Sequence, residues 1–173
     1  FLLAFQKPES GSDAYQRYND QNDQSGHGRS PLDFRNKALV FRPKRIYNTA
    51  MISCILLAAG LSRRFGSPKA LALLNGSTVI HRLQTMLLAT RVGEVIVVLG
   101  ANAEEIKLHL LNHSNIKSVY NKNYNLGQTS SFQTGLRAVS QDSTGVLLLP
   151  VDYPLVREKT INALIERYLK QPS

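Results

Sequence analysis

One segment of the chain combines small residues with several cations, a combination suited to holding phosphate. It runs from Leu57 to Lys69 and reads Leu-Ala-Ala-Gly-Leu-Ser-Arg-Arg-Phe-Gly-Ser-Pro-Lys. Small side chains let the backbone approach a ligand, so that free N–H groups can donate to phosphate oxygens. Arg63, Arg64 and Lys69 add positive charge, and a triphosphate is therefore the expected ligand. The alternative is a basic surface turn between a strand and a helix.

A carboxylate later in the chain has the chemistry of a magnesium ligand. Asp152 comes directly after an apolar segment that predicts a strand. Mg²⁺ prefers hard oxygen ligands and usually takes only one or two protein carboxylates, with nucleotide phosphates completing its shell. We therefore expect Asp152 to bind Mg²⁺ and Lys69 to neutralise the β- and γ-phosphates of the ligand. The alternative is that Asp152 caps the helix that follows.

A pair of hydroxyls, Ser130 and Ser131, stands near the start of a predicted helix over residues 129–139. The N–H groups and the dipole at such a position favour an anion or a base carbonyl. Thr129 or Ser130 could instead only cap the helix, and the two roles are compatible.

These residues need a scaffold that brings the ends of several strands together. Mostly apolar runs predict strands over residues 52–57, 94–99 and 145–149, and a short third strand is predicted over 117–120. Helical spacing of apolar residues predicts helices over 77–90, 103–111, 129–139 and, last, 161–169. Strands that alternate with helices imply the α/β class, here a three-layer open, mostly parallel sheet. Ligands of such sheets bind beyond the carboxyl ends of the strands, which selects the loops 58–69, 100–103, 121–131 and 150–154.

Two common phosphate motifs are excluded by spacing. The Walker motif ends in Gly-Lys-Ser/Thr, whereas Gly66 is followed by Ser67-Pro68-Lys69. The dinucleotide fingerprint needs Gly-x-Gly-x-x-Gly, and Ser62 stands where its second glycine would be. Neither a Walker ATPase nor a Rossmann dehydrogenase is favoured.

Three segments together resemble the nucleotidyltransferases related to molybdenum cofactor cytidylyltransferase and guanylyltransferase. Leu57 to Lys69 matches the signature Leu-Ala-Ala-Gly-x-Ser-x-Arg-x-Gly-x-x-Lys. Asn125 to Leu136 resembles the region Gly-Met-Ser-Ser-Ser-x-x-x-Gly-Leu, and Leu148 to Val156 resembles Asp-x-Pro-Leu-Val. The order and separation of the segments also agree, and the resemblance covers the chain from Ile52 onward.

The resemblance implies a Rossmann-like nucleotidyltransferase fold and Mg²⁺-dependent transfer of CMP from CTP to the phosphate of molybdopterin, with release of pyrophosphate. Ala58-Ala59-Gly60 is similar to the cytidylyl branch, whereas the guanylyl branch usually reads Leu-Ala-Gly-Gly. The resemblance to this family also implies that Arg64 binds the triphosphate and that the catalytic residues are Lys69, Arg64 and Asp152, with Asp152 as the metal ligand. The implied nucleotide-binding residues are Leu57, Ala58, Ala59, Gly60, Ser62, Arg64, Gly66, Lys69, Ser130 and Ser131.

The sequence also departs from the family pattern. Gln128 replaces a Met that the family often has, and Tyr153 stands where Met or Gln is common. Family members continue past the position of Ser173 through strands that carry acceptor-binding residues and a second acidic metal ligand. We therefore expect a C-terminally truncated nucleotidyltransferase domain. The alternatives are that a partner supplies the missing residues, that the chain is an inactive nucleotide-binding module, or that the acceptor is a sugar phosphate or another small molecule.

The composition of the chain indicates which partners and which cellular compartment to expect. The net charge is +9, but outside the first loop the cations are scattered without interleaved aromatics, so we expect no nucleic-acid partner. No apolar run suits a membrane helix, and the single cysteine, Cys54, excludes an internal disulfide. The expected setting is the cytoplasm, with a nucleoside triphosphate, a phosphorylated small-molecule acceptor and a molybdoenzyme maturation partner.

The first fifty residues are polar and interrupted by Gly, Pro, Asn and Ser, which predicts a mostly disordered extension over residues 1–50. The apolar start, Phe1 to Phe5, is interpreted as an unstructured leader. Met51 is followed at once by a buried-strand pattern. Our hypothesis is that the domain spans 51–173 and that Met51 is its functional start.

Overall fold

The computed structural model describes residues 3–5, 50–62 and 66–170 of the 173-residue chain. Its strands, in chain order, are β1 (Leu3–Phe5), β2 (Met51–Ala58), β3 (Leu73–Leu74), β4 (Ser77–Thr78), β5 (Val92–Leu99), β6 (Ile116–Tyr120) and β7 (Ser143–Pro150). Its α-helices are α1 (Val79–Leu88), α2 (Ala103–Lys107), α3 (Gln128–Arg137) and α4 (Glu158–Lys170).

A five-stranded sheet in the order β1-β7-β2-β5-β6 forms the centre of the molecule. The strands β7, β2, β5 and β6 are parallel to their neighbours, and β1 is antiparallel to β7. Cys54 and Leu56 face a core that includes residues of α1, α2 and α4, whereas Ile55 and Leu57 face a core that includes Phe132 of α3. The predicted α/β class and three-layer, mostly parallel sheet are confirmed.

The segment Leu3–Phe5 differs from its prediction as an unstructured leader, because it forms β1, with Leu3 opposite Leu148 of β7. A sheet edge has unpaired N–H and C=O groups, and a short extended segment can satisfy them. The prediction of an unstructured segment is therefore wrong for these three residues. Residues 6–49 lie outside the described residues, so the predicted disorder there stays a prediction.

The second predicted helix is shorter than expected and ends at Lys107 instead of continuing to Leu111. The bonds from His109 N to Ile106 O and from Leu110 N to Lys107 O close tight turns beyond its end. The buried side chain of Gln84 then donates to the carbonyl of His109 and accepts from the N–H of Leu111. A side chain of α1 therefore satisfies backbone groups that a longer helix would have paired internally.

The start of α1 was expected at Ser77 or Thr78, and the structure selects Thr78 as the cap, its Oγ accepting from His81 N at 3.4 Å. Ser77 instead belongs to the small β3–β4 hairpin, which the sequence analysis did not predict. The turn of this hairpin, Asn75-Gly76, has positive φ at both residues (52° and 80°). Asn-Gly is a common hairpin turn for that reason.

Candidate nucleotide-binding site

A cleft of about 530 Å³ opens at the carboxyl ends of β2 and β7, where the α/β fold predicts a ligand. Its walls come from the loop after β2, the loop after β6, the start of α3 and the segment after β7. The lining residues are Leu57, Ala58, Ala59, Gly60, Leu61, Ser62, Pro68, Lys69, Ala70, Ile106, Tyr124, Asn125, Gly127, Gln128, Ser131, Pro150, Val151 and Asp152.

The loop after β2 forms the first wall and is closed on itself by a hydrogen bond. Ser62 has a positive φ of 48°, and its Oγ accepts from the backbone N–H of Lys69 at 3.1 Å. This contact joins the two ends of the loop and fixes where the Lys69 side chain starts. Arg63, Arg64 and Phe65 lie outside the described residues, so the implied role of Arg64 stays a prediction.

Lys69 and Asp152 meet on the wall of the cleft. The Nζ of Lys69 lies 3.0 Å from Oδ1 of Asp152. Lys69 is placed by a 3₁₀ turn over Lys69–Leu71, and Asp152 by the register of β7 beside β2, which the bond from Val151 N to Leu57 O extends at 3.0 Å. The helix α4 begins only at Glu158, so Asp152 does not cap it. The cation and the carboxylate that the sequence analysis selected are thus brought together.

The residues around Asp152 fit a divalent cation that the nucleotide helps to coordinate. Within residues 3–5, 50–62 and 66–170, no group of three or more His, Cys, Asp or Glu side chains could hold a metal by itself. The side chain of Asp152 is 54% exposed and lines the cleft, so its carboxylate is open to an ion there. Mg²⁺ commonly binds in this way, through one or two carboxylates plus the phosphates of its substrate.

The loop after β6 and the start of α3 form the second wall of the cleft, and the two predicted hydroxyls of α3 have different surroundings there. Ser131 is buried and lines the cleft. The hydroxyl of Ser130 lies 2.8 Å from the carbonyl of Asn123 and 2.9 Å from that of Gly127, and it accepts from Nδ2 of Asn121. It is therefore occupied by the loop itself. Gly127 precedes α3 as its cap residue, so neither Thr129 nor Ser130 occupies the cap position considered in the sequence analysis.

Two positions selected by sequence do not reach the cleft wall as the structure describes it. Neither Gly66 nor Ser130 is among the lining residues. The loop 100–103, expected at the site, lies behind the first wall instead: Ala101 N donates to Ala59 O at 3.2 Å. A Cβ added to Gly100 would lie 2.7 Å from Ala59 O and 2.6 Å from the Cβ of Tyr124, so this glycine permits both walls to approach.

Several residues on the second wall were not predicted individually, because the sequence pattern selects the loop 121–131 only as a whole. Tyr124, Asn125 and Gln128 line the cleft, and Asn121 is buried behind it. The available signal was position: Asn121 is a polar residue directly after a predicted strand, at the edge where ligands bind.

A polar cluster lies at the opposite end of the sheet from this cleft, near the starts of β2 and β5. Glu94, near the start of β5, accepts from Ser53 Oγ at 2.6 Å and from Ser140 N at 2.7 Å, and its Oε2 lies 2.8 Å from Lys117 Nζ. Burial raises the pKa of Glu94, but the hydrogen bonds from Lys117, Ser53 and Ser140 outweigh it and lower that pKa overall. The cluster joins β2, β5, β6 and the turn before β7.

The chain is similar to a known protein family and to several curated proteins. The model of the MobA-like NTP transferase domain matches residues 54–173. Nicotine blue oxidoreductase of Paenarthrobacter nicotinovorans is 31% identical over 66% of this chain and 55% of its own. A probable molybdenum cofactor guanylyltransferase of Bacillus cereus is 30% identical over 65% of this chain and 54% of its own. The chain spans about half the length of these curated relatives.

A solved structure agrees with the family model. A nucleotidyl transferase from Methanothermobacter thermautotroptrophicus superposes with a TM-score of 0.58 and 30% identity, over 67% of this chain and 57% of its own. Among the described helices, none has the length and apolar character needed to cross a membrane.

Proposed function

Because the chain belongs to the MobA-like NTP transferase domain family, we propose that it transfers a nucleotidyl group from a nucleoside triphosphate to a phosphorylated small molecule. The observation that carries this proposal is the 3.0 Å approach of Lys69 Nζ to Asp152 Oδ1 on the wall of the cleft. An ammonium group, which can bind phosphate, thus lies beside a carboxylate of the type that Mg²⁺ selects, and this pairing supports the proposal.

In the proposed reaction an oxygen of the acceptor phosphate forms a bond to the α-phosphorus of the nucleotide. The bond from that phosphorus to the bridging oxygen breaks, and pyrophosphate leaves with the electron pair. Lys69 balances the charge that develops on the leaving group, and the loop after β2 orients the triphosphate with its backbone N–H groups. Asp152 would hold Mg²⁺, which supplies further charge neutralisation on the phosphates when bound. The acceptor is already anionic at neutral pH, so the reaction needs no strong general base.

For the substrates we propose CTP and molybdopterin, with CMP transferred to the molybdopterin phosphate. The base assignment is supported by Ala58-Ala59-Gly60, which resembles the cytidylyl branch and lines the cleft. The second candidate is GMP transfer from GTP to the same acceptor, favoured by the 30% identity to the probable molybdenum cofactor guanylyltransferase.

Pyrophosphate release tests the proposal. The chain is incubated with Mg²⁺, molybdopterin and either CTP or GTP, and we expect release with CTP. Release with GTP alone would select the second candidate, and release only with a sugar phosphate would replace the acceptor. Nucleotide binding without any release would identify a binding module. Asp152→Ala should abolish release, whereas Asp142→Ala, at the opposite end of β7, is the matched control and should not.

A further inference from the structure

Asn121 is a buried polar residue immediately after β6, with only 3% of its surface exposed. Its backbone N–H donates to Leu99 O at 2.8 Å, which fixes it to the end of β5. Its amide nitrogen donates to Ser130 Oγ at 2.9 Å and to Ser131 Oγ at 3.0 Å. Its amide oxygen accepts from Asn123 N at 2.9 Å. Both amide protons are therefore used within the protein, and the side chain acts on its neighbours.

These neighbours make up the second wall of the cleft. The loop held by Asn121 contributes Tyr124, Asn125 and Gly127 to the lining, and the start of α3 contributes Gln128 and Ser131. Both serines belong to the first turn of α3 and accept from the Asn121 amide. Ser130 also contacts the carbonyls of Asn123 and Gly127, which joins the helix to the loop. One amide group thus connects the end of the sheet, the loop and the first turn of α3.

The backbone of this loop combines a local turn with an unusual glycine: bonds from Leu126 N to Asn123 O and from Gly127 N to Tyr124 O accompany a 3₁₀ turn over Tyr124–Leu126. Gly127 has φ 98° and ψ −175°, a combination available essentially only to glycine. A glycine also allows many other conformations in a loop. The contacts of Asn121 with Asn123 N and with Ser130 Oγ lie on either side of this glycine.

We propose that Asn121 is a positioning residue for the nucleotide: its amide holds the loop after β6 and the start of α3 as a preformed wall, without touching the ligand. This inference rests on the proposed function of the cleft. Without the amide, the loop spends only a fraction of its time in the binding conformation, and the apparent affinity falls to that fraction of its original value. For a loop that loses both donor contacts we expect about tenfold weaker nucleotide binding.

The test compares Asn121→Ala with Asn162→Ala. Asn162 is a matched control on α4, because its side chain also bonds a distant backbone group, Arg91 N, at 3.0 Å, away from the cleft lining. Calorimetric titration with Mg²⁺ and CTP or GTP, whichever the unmodified chain binds, should give about tenfold weaker binding for Asn121→Ala and no change for Asn162→Ala. Equal nucleotide affinity in Asn121→Ala and the unmodified chain would overturn the proposal, whatever the melting temperatures.

Two further measurements keep the test decisive. If Asn121→Ala does not fold, Ser130→Ala removes one acceptor of the Asn121 amide, and unchanged nucleotide affinity in that variant would equally overturn the proposal. If the unmodified chain binds neither nucleotide, the proposed function fails. Hydrogen exchange then tests the positioning role by itself. Amides 122–128 should exchange faster in Asn121→Ala than in Asn162→Ala, and equal exchange would refute the role.

Discussion

The ammonium of Lys69 and the carboxylate of Asp152 lie 3.0 Å apart, although they come from different loops of the chain. The proposed reaction assigns the first group to phosphate and the second to Mg²⁺. Each group partly neutralises the other, so a nucleotide competes with Asp152 for Lys69, and a metal ion competes with Lys69 for Asp152. Because both side chains are about half exposed, solvent screens the pair, and its contribution to stability should be small, about 0–1 kcal/mol.

Asp152→Asn should separate metal-dependent from metal-independent binding. Loss of the carboxylate is expected to lower pyrophosphate release by at least about a hundredfold, since a charge-stabilising group at the reacting phosphate is removed. In the presence of a chelator the same variant should bind nucleotide up to about fivefold more tightly, because Lys69 no longer has a competing partner. A pyrophosphate-release assay with Mg²⁺ measures the first effect, and calorimetric titration with nucleotide in the presence of a chelator measures the second. Asp142→Asn is the control in both measurements. If Asp152→Asn binds nucleotide more weakly than the unmodified chain in the presence of the chelator, Asp152 does not compete with the nucleotide for Lys69.

Lys69→Met should weaken the binding of the triphosphate and leave the fold intact. The variant removes one charge-assisted contact to phosphate, for which we expect a loss of about 1.5–3 kcal/mol of binding free energy. Lys107→Met is the matched control, since Lys107 is also part of a partly exposed ion pair, with Glu104 at 3.1 Å. Titrations of both variants with CTP and GTP give the comparison. Equal affinities in the two variants would remove Lys69 from the phosphate site.

Gly100→Ala should disturb both walls of the cleft at once. The new Cβ would lie 2.6 Å from the Cβ of Tyr124 and 2.7 Å from the carbonyl of Ala59, and neither group is the far end of a flexible side chain. Overpacking of this kind costs about 1–3 kcal/mol of unfolding free energy. A Cβ at Gly60 meets nothing within 4 Å, so Gly60→Ala should change that free energy by less than about 1 kcal/mol. Urea unfolding of both variants is the measurement, and similar losses would refute the close approach at Gly100.

Glu94→Gln should reduce stability in a pH-dependent manner. The folded-state pKa of Glu94 is lowered from its usual 4.5, because hydrogen bonds from Lys117, Ser53 and Ser140 outweigh the effect of burial. The ionised group therefore stabilises the fold above the pKa of the unfolded chain, and this stabilisation is lost as the pH falls through the folded-state pKa. At pH 7 the substitution should cost about 1.5–3 kcal/mol of unfolding free energy.

The same comparison has an internal control. The stability difference between Glu94→Gln and the unmodified chain should narrow as the pH falls below about 4.5. Glu105→Gln removes a carboxylate from an exposed position and is the control for the loss of one surface charge at pH 7. Urea unfolding across that range measures the difference. A gap that widens towards acid pH would reverse the assigned direction of the pKa shift.

Removal of residues 1–50 should leave nucleotide binding intact, as the hypothesis of a functional start at Met51 requires. All residues that line the described cleft lie between Leu57 and Asp152. The deletion also removes β1 and uncovers the edge of β7, so we expect concentration-dependent self-association through that edge. Titration and light scattering on the shortened chain test both effects. Loss of nucleotide binding in a folded, monomeric shortened chain would refute the hypothesis.

Local patterns were sufficient to predict the central strands and the edge of the sheet that forms the cleft. The runs Ile52 to Leu57 and Val95 to Leu99 are almost continuously apolar, because strands such as β2 and β5 are buried on both faces. A pattern of that type predicts a strand without knowledge of the neighbouring elements. The first wall was predicted in the same way, since Gly60 and Lys69 belong to a motif contained within one loop.

The short or terminal elements depended on partners distant in sequence. The end of α2 is set by Gln84 of another helix, and β1 exists only because β7 offers an unpaired edge. Neither partner can be recognised from the few residues of the element itself, because the free energy that stabilises it comes from hydrogen bonds across the fold.

The sequence by itself determined the fold class, the family and the chemical types available at the site, because these depend on hydrophobic period and on motifs of adjacent residues. Only the tertiary structure decided that Lys69 meets Asp152, that Ser130 is occupied by its own loop, and that Asn121 supports the second wall. Such contacts join the ends of different strands, and their geometry follows from strand order and register, which no single segment of the chain encodes.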